Sequence, residues 1–375
     1  MISRIVEKQI LLSLKPGKVV CLMGARRTGK TVLLNKISEA LPREKILTVH
    51  GQDLVAQEKL SSQRVETLKN VLTGYEYLFI DEAQYIPNIG VNLKLIVDTL
   101  PISVFVTGSS AFDLKNKVGE PLVGRGIFLN LFPLAQQELS PNETPIETAG
   151  RLEERLIFGG YPEVVTAKNR PEKIAALENI RDSYLLKDIL SFENIKNSVF
   201  VFNLLRLIAF QVGHDISYSE LARNLDAHPQ TVRRYLELLE KTFVIFPRQG
   251  YSRNLRKEYT KTPRYYFWDN GIRNIIISNL NDLSFRDDVG ALWENYCVVE
   301  RVKRNKYRNI LVNSFYWRTY DQKEIDLVEE REGKLFGFEM KWGKAEAKAP
   351  KDFLQSYKGS TFEVINKENY CDFIK

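Results

Sequence analysis

Short apolar runs alternate with helical stripes through the first third of the chain. Residues 18–23, 46–49, 77–80 and 103–107 are compact runs rich in β-branched and aromatic side chains, which predicts four buried strands. Between the first two, residues 31–41 repeat apolar side chains at helical spacing. Strand–helix alternation of this kind predicts a parallel α/β sheet. The segment Leu139-Ser140-Pro141-Asn142-Glu143-Thr144-Pro145 reads as a loop, and the first boundary is placed beside it. Helical spacing dominates residues 151–239. Strand-like runs return from 243 onward, interrupted by a helix around 289–304. The expected division is therefore 1–140, 141–268 and 269–375.

The most specific motif lies where the first strand meets the first helix. Gly24-Ala25-Arg26-Arg27-Thr28-Gly29-Lys30-Thr31 fits GxxxxGK[ST] throughout, in the strand–loop–helix setting that motif requires. Glycines let the backbone curl so that its N–H groups face phosphate oxygens at a helix N-terminus. Lys30 is expected on the β- and γ-phosphates of ATP, with Thr31 a Mg²⁺ ligand. Tyr77-Leu78-Phe79-Ile80-Asp81-Glu82 ends an apolar strand in two carboxylates. Asp81 is expected to hold the Mg²⁺ shell and Glu82 to activate water as general base. A third strand ends in Thr107-Gly108-Ser109-Ser110, where Ser109 could sense the γ-phosphate or could cap the next helix. Arg125, between Gly124 and Gly126, is a candidate arginine finger or an ordinary surface arginine. Acting in trans, it would require a homo-oligomer.

In the helical middle, Ser217 followed by Glu220 is a capping signature, and Pro229 suits the first turn of a second helix. The pair reads as a helix-turn-helix, with Arg233 and Arg234 near the start of the recognition helix. A stretch with Arg248, Arg253, Arg256, Lys257, Lys261 and Arg264, interleaved with Tyr251, Tyr259 and Tyr265, reads as the basic wing of a winged helix. That predicts a DNA-binding face, although such units also serve as protein-docking or lid modules.

The last third orders its elements as helix, three strands, helix at 351–358 and strand at 361–365. Glu294 lies on the first helix. Glu324 and Asp326 share one strand face, and Glu339 and Lys341 share another. With E…D…ExK in that order, the segment resembles restriction-endonuclease-like domains of the PD-(D/E)xK type, with Ile325 where a proline is usual. The resemblance implies Glu294, Asp326 and Glu339 around Mg²⁺, with Lys341 catalytic. The alternative is that these residues are solvent-facing charges on an antiparallel sheet, against which stands the occurrence of all four in order.

The chain as a whole resembles a prokaryotic family that joins an AAA-type P-loop ATPase domain to a C-terminal domain of unknown function. Residues 24–31, Asp81-Glu82-Ala83-Gln84, Thr107-Gly108-Ser109-Ser110, Leu122-Val123-Gly124-Arg125 and Leu131-Phe132-Pro133-Leu134 carry the likeness. Phe158-Gly159-Gly160-Tyr161-Pro162-Glu163-Val164 and Tyr184-Leu185-Leu186-Lys187-Asp188 extend it. The expected fold is α/β: a P-loop NTPase parallel sheet, a helical and winged-helix module, and a restriction-endonuclease-like α/β domain. The expected activity is Mg²⁺-dependent ATP hydrolysis coupled to action on DNA. The alternative is a signalling or protein-interaction switch whose nuclease-like domain cuts nothing.

Composition narrows the classes. Of 375 residues, 44% are hydrophobic and 27% charged, ordinary globular usage. The net charge of +7 permits a nucleic-acid partner without establishing one. Cys21, Cys297 and Cys371 are far apart and form no CxxC pair, which suggests a reducing cytoplasm. His50, His214 and His228 have no zinc-ligand spacing. No run is long enough for a transmembrane helix, and residues 1–8 lack the apolar core of a secretory signal. The tryptophans Trp268, Trp293, Trp317 and Trp342 are expected in cores rather than as base-stacking platforms.

Overall fold

The computed structural model describes residues 2–108, 121–182, 198–252, 262–319, 321–343 and 348–375. The chain divides into two compact units: Met1–Phe132 with Lys241–Phe243, and Pro133–Glu240 with Val244–Lys375. The helical middle and the C-terminal sheet thus belong to one unit. Among the described residues, no helix is long and apolar enough to cross a membrane.

The first unit is built on a five-stranded parallel sheet. Its strands are β1 (Val19–Met23), β2 (Ile46–His50), β3 (Tyr77–Asp81), β4 (Ser103–Gly108) and β5 (Gly126–Asn130), in the order β2-β3-β4-β1-β5. Every residue of β1 and β4 is buried. Such strands are covered on both faces and therefore read as continuous apolar runs rather than alternating ones. The rings of Phe79 and Phe105 meet edge-on at 5.3 Å across β3 and β4. The helices are α1 (Ile5–Ser13), α2 (Lys30–Glu39), α3 (Leu54–Leu60), α4 (Val65–Leu72) and α5 (Ile89–Thr99). β5 was not anticipated in the sequence: it is an edge strand, half-buried along its whole length, and begins in the Gly-Arg-Gly stretch that resembles a turn.

In the second unit the helices Leu152–Phe158, Arg170–Ile180, Ser198–Phe210, Tyr218–Asn224 and Pro229–Lys241 come first. An antiparallel hairpin follows, β6 (Ile245–Arg248) with β7 (Arg264–Phe267). Next come the helices Asn270–Ile276 and Val289–Tyr307. A sheet closes the unit, in the order β11-β10-β9-β8. Its strands are β8 (Asn313–Arg318), β9 (Glu324–Arg331), β10 (Lys334–Met340) and β11 (Thr361–Ile365). β8, β9 and β10 form an antiparallel meander. β11 returns parallel to β10 after the helix Lys351–Ser356. This is the helix, three strands, helix, strand order read from the sequence.

Specific backbone approaches tie the second unit together. Asn274 donates its side-chain amide to the carbonyls of Leu156 and Ile157, at 3.0 and 2.8 Å. The Asp269 carboxylate accepts from the Gly160 N–H at 2.6 Å. A Cβ on Gly159, whose φ is +76°, would lie 2.1 Å from that carboxylate, and one on Gly271 would lie 2.0 Å from the Phe158 carbonyl. The Phe-Gly-Gly stretch is therefore a close-packing requirement. The Tyr251 N–H donates to the Tyr316 carbonyl at 2.7 Å and the Tyr316 N–H to Gln249 at 3.0 Å, joining the hairpin to the edge of β8. Trp317, Ile325, Val328, Leu335 and Phe353 form the core beneath, with Tyr251 packed against them. Trp268, Trp293 and Trp317 are buried, and Trp342 is half-buried beneath the Lys367 ammonium.

Phe353 is fully buried with its ring 5.4 Å from that of Trp317. Phe353→Ala is expected to destabilise this unit by about 3–5 kcal/mol, the usual cost of emptying an aromatic core site. Urea unfolding followed by tryptophan fluorescence measures it; a loss below about 1 kcal/mol would show that the sheet does not rest on this cluster.

Candidate functional site

β1 runs directly into the glycine-rich loop at the carboxyl edge of the parallel sheet. An ideal Cβ at Gly24 would stand 2.1 Å from the Leu131 carbonyl oxygen, so no other residue passes there. Arg27 (φ +61°) and Gly29 (φ +96°) take left-handed backbone, and α2 starts at Lys30. The Thr28 hydroxyl closes the turn on the Ala25 carbonyl at 2.8 Å. Lys30 is buried, and its ammonium donates to the carbonyls of Gly24 and Ala25, each at 3.0 Å. The Arg26 guanidinium donates to the Tyr85 hydroxyl at 2.9 Å.

The acidic pair at the end of β3 meets this loop. Asp81 is buried; one carboxylate oxygen accepts from the Thr31 hydroxyl at 2.7 Å and the other from the Thr107 hydroxyl. Thr107 also accepts from the Glu82 N–H at 3.0 Å. Glu82 is half-buried at φ +54°, and its carboxylate accepts from the Gln84 amide. A Cβ on Gly51 would come within 2.2 Å of the Glu82 carbonyl, so β2 also closes on this turn. Thr31, Asp81, Glu82 and Thr107 are thus brought together at the mouth of the loop. Sequence reasoning named Thr107 and Gln84 within motifs but read neither this bridging role nor the hold of Gln84 on Glu82. The signal for Thr107 was present: a hydroxyl ending a buried strand, beside β3 in register.

Two candidates are placed otherwise. Ser109 lies outside the described residues. Arg125 precedes β5, level with the start of β1, and pairs with Asp98 of α5. Gly24 is at the other end of β1, roughly 20 Å away at about 3.3 Å per residue. Arg125 is therefore not at the phosphate edge of its own chain.

In the second unit, Ser217 accepts the Glu220 N–H at 3.3 Å, the expected cap of the helix-turn-helix. Arg233 and Arg234 are exposed, and Arg233 pairs with Glu237 at 3.2 Å. The basic wing needs correction at both ends. Arg248 is half-buried and donates to the Ser314 carbonyl at 3.0 Å. Arg264 is buried, held at 2.8 Å by both Asp215 and Glu324. Neither offers its charge to a surface partner. Arg253, Arg256, Lys257, Tyr259 and Lys261 lie outside the described residues, as does the 184–188 motif.

The C-terminal carboxylates converge without forming the expected metal set. Glu294 accepts from the Tyr266 hydroxyl at 2.7 Å, Asp326 from the Met340 N–H at 2.7 Å, and Glu339 from the Lys341 ammonium at 2.7 Å. Among the described residues, no group of three or more His, Cys, Asp or Glu side chains stands close enough to hold a metal ion. In this arrangement Glu294, Asp326 and Glu339 do not stand together as one ligand set. Each acid is already engaged by a separate protein donor. They still feel one another. Burial, with Glu324 and Glu339 nearby, pushes Glu294 up to about 7 against the pull of Tyr266 and Arg264. Burial, Glu294 and Glu339 raise Asp326 well above the usual carboxylate range. Burial acts to lower the Lys341 ammonium, but the hydrogen bond and charge of Glu339 outweigh it and raise the group.

The parallel sheet with a glycine-rich loop and an acidic strand end defines the first unit as an AAA-type P-loop ATPase fold. Residues 16–140 match the family described as AAA domain. Residues 149–283 and 289–369 match two domains of unknown function, DUF8612 and DUF4143. The chain is 29% identical over 334 residues to the uncharacterized protein Rv2008c of Mycobacterium tuberculosis, covering 88% of this chain and 71% of that one. It is 27% identical over 364 residues to an uncharacterized protein of Haemophilus influenzae, covering 88% and 84%. Two solved structures overlap it more loosely. One is a DNA replication initiation factor, 18% identical, with a TM-score of 0.29. The other is AMPPCP-bound DnaA from Aquifex aeolicus, 16% identical, with a TM-score of 0.30. Each overlap covers 63% of this chain and 86% of the other.

The Glu294 environment has a consequence for pH. Its carboxyl moves from 4.5 to about 7 on folding, so between those values the folded chain holds a proton that the unfolded chain has released. That stabilisation is complete below pH 4.5 and declines as pH rises through about 7, by on the order of 3 kcal/mol. Glu294→Gln should flatten the decline. Urea midpoints for wild type and variant at about pH 5 and pH 8 measure it, and parallel pH profiles would refute it.

Proposed function

We propose that the chain binds ATP with Mg²⁺ and hydrolyses it, and that nucleotide state governs a helix-turn-helix and restriction-endonuclease-like module acting on DNA. The observation that carries this reading is the Thr31–Asp81–Thr107 interlock at the mouth of the phosphate loop. The donor set suits the ligands. A hydroxyl and a carboxylate are hard oxygen donors fit for Mg²⁺, and Gly24 leaves a cradle that any Cβ would fill. Thr31 and Asp81 would hold the ion, whose bound charge offsets charge on the phosphates. Lys30 would trade the loop carbonyls for phosphate oxygens. Residues 24–29 supply inward-facing N–H groups. Glu82 would take the proton of the attacking water, held until then by Gln84.

Arg125 fits this scheme only in trans, as a finger for a neighbouring copy in a homo-oligomer. Arg125→Ala should keep ATP affinity and lose most turnover. Mixing it with Lys30→Ala protein, which brings an intact Arg125, should restore part of that turnover. Unchanged turnover in Arg125→Ala alone would sink the finger.

Lys30→Ala should abolish ATP binding and turnover. The DNA reading predicts binding that weakens steeply with salt, as phosphate contacts require. Titrations of duplex DNA at several salt concentrations measure it, and the absence of salt-sensitive binding near physiological ionic strength would overturn it. Cleavage, if present, should be lost in Lys341→Ala. A second reading has a specific observation in its favour: the carboxylates are engaged by Tyr266, the Met340 N–H and Lys341. On that reading the module is a switch that docks a protein and leaves plasmid, single-stranded DNA and RNA intact with ATP and Mg²⁺.

A further inference from the structure

Arg4 reaches the phosphate loop from behind. It is the residue before α1, only 8% exposed, and its guanidinium makes charge-assisted hydrogen bonds to two backbone carbonyls of the described residues. One goes to the Thr28 carbonyl at 2.7 Å, inside the loop. The other goes to the Phe132 carbonyl at 2.6 Å, at the last residue of the first unit before the chain passes on at Pro133. We propose that Arg4 is a positioning residue for the phosphate loop, aiming the Gly29 N–H at bound phosphate and tying the loop to the chain beyond β5. The proposal rests on the ATP reading above.

The geometry follows from the peptide bond. The Thr28 carbonyl and the Gly29 N–H belong to one planar trans peptide and point in opposite directions. Holding the carbonyl back against Arg4 turns the N–H forward. The backbone here is left-handed at Gly29, so the peptide needs a restraint to keep that orientation. A planar guanidinium presents two N–H groups at fixed spacing and can satisfy both carbonyls at once, whereas an ammonium is a point donor. A Cβ at Gly29 would lie 3.9 Å from the guanidinium, so the restraint acts at close range. The neighbouring Leu131 backs Gly24 by close packing, its carbonyl oxygen only 2.1 Å from where a Cβ at Gly24 would stand. Both ends of the loop thus rest on residues 131–132.

The test compares wild type with Arg4→Met, Arg4→Lys and Arg4→Ala by calorimetric titration of ATP with Mg²⁺, each variant first checked by thermal melting. Arg4→Met should raise the ATP dissociation constant about tenfold, and Arg4→Lys should recover part of the loss. Millimolar guanidinium should restore several-fold affinity to Arg4→Ala and leave wild type unchanged. Ile10→Val, which loosens buried α1 packing without touching either carbonyl, supplies the structural control. A dissociation constant for Arg4→Met within about twofold of wild type would overturn the proposal. So would an equal loss in Ile10→Val, or no guanidinium rescue. Wild-type protein that binds no ATP would instead remove the ATP reading, and this inference with it.

Discussion

The buried Asp81 carboxylate is the constraint on which the nucleotide edge depends. An ionised group taken out of water at the end of β3 must be met by donors, or it costs more than a strand can return. Two hydroxyls meet it, one from α2 and one from β4. Three elements of separate sequence origin are fixed by one side chain, and the turn that follows inherits its direction. Glu82 takes left-handed backbone with its N–H on Thr107 and its carbonyl close against Gly51, where only the absence of a Cβ leaves it room. The same arrangement places oxygen donors beside a lysine whose ammonium rests on loop carbonyls. The fold itself thus brings these groups together at one edge of the sheet.

The second unit spends its charges differently. Arg301 forms a two-pronged pair with Glu329 at 3.0 and 2.8 Å, and Lys303 pairs with Glu300 at 2.8 Å, both inside the unit. Glu300 also accepts the Gln136 N–H at 2.6 Å, so one acid serves a helix start and a lysine together. Buried pairs of this kind give orientation more readily than net stability. Arg264 belongs to the same economy, clamped by Asp215 and Glu324 and lying 4.2 Å over the Tyr316 ring. The hairpin strand that carries it also carries Tyr266, so the segment after the helix Pro229–Lys241 is bonded directly to the acidic cluster.

What could be read in advance divides by the range of the interaction. Gly24 to Thr31 was legible because phosphate binding demands a fixed local spacing, and Ser217 because a helix cap is three residues wide. Buried strands β1, β3 and β4 announced themselves as unbroken apolar runs. β5 did not, because its apolar run, Ile127-Phe128-Leu129, is only three residues long, half-buried, and follows the Gly-Arg-Gly stretch. Arg4 gave no signal, since its partners stand 24 and 128 positions away. Arg248 and Arg264 gave a misleading one. A run of basic residues looks the same whether its charges face water or distant acids, and the acids that hold Arg264 are 49 and 60 positions off. The order of Glu294, Asp326, Glu339 and Lys341 was legible, but their separate partners were not, because Tyr266 and the Met340 N–H enter from other strands.

The acidic cluster remains costly for a purely structural feature. Glu294, Asp326 and Glu339 each raise the electrostatic energy of another, and burial deepens it. Apolar side chains of similar volume would pack there without that penalty. Retained strain of this kind concentrates where a group must bind or exchange charge. The nearby cations reduce the tension without removing it: Arg264 acts on Glu294 and Lys341 on Asp326, yet both acids keep raised proton affinities. A cation or a basic partner would relieve that tension more fully than the hydroxyl and the backbone N–H now engaging the acids.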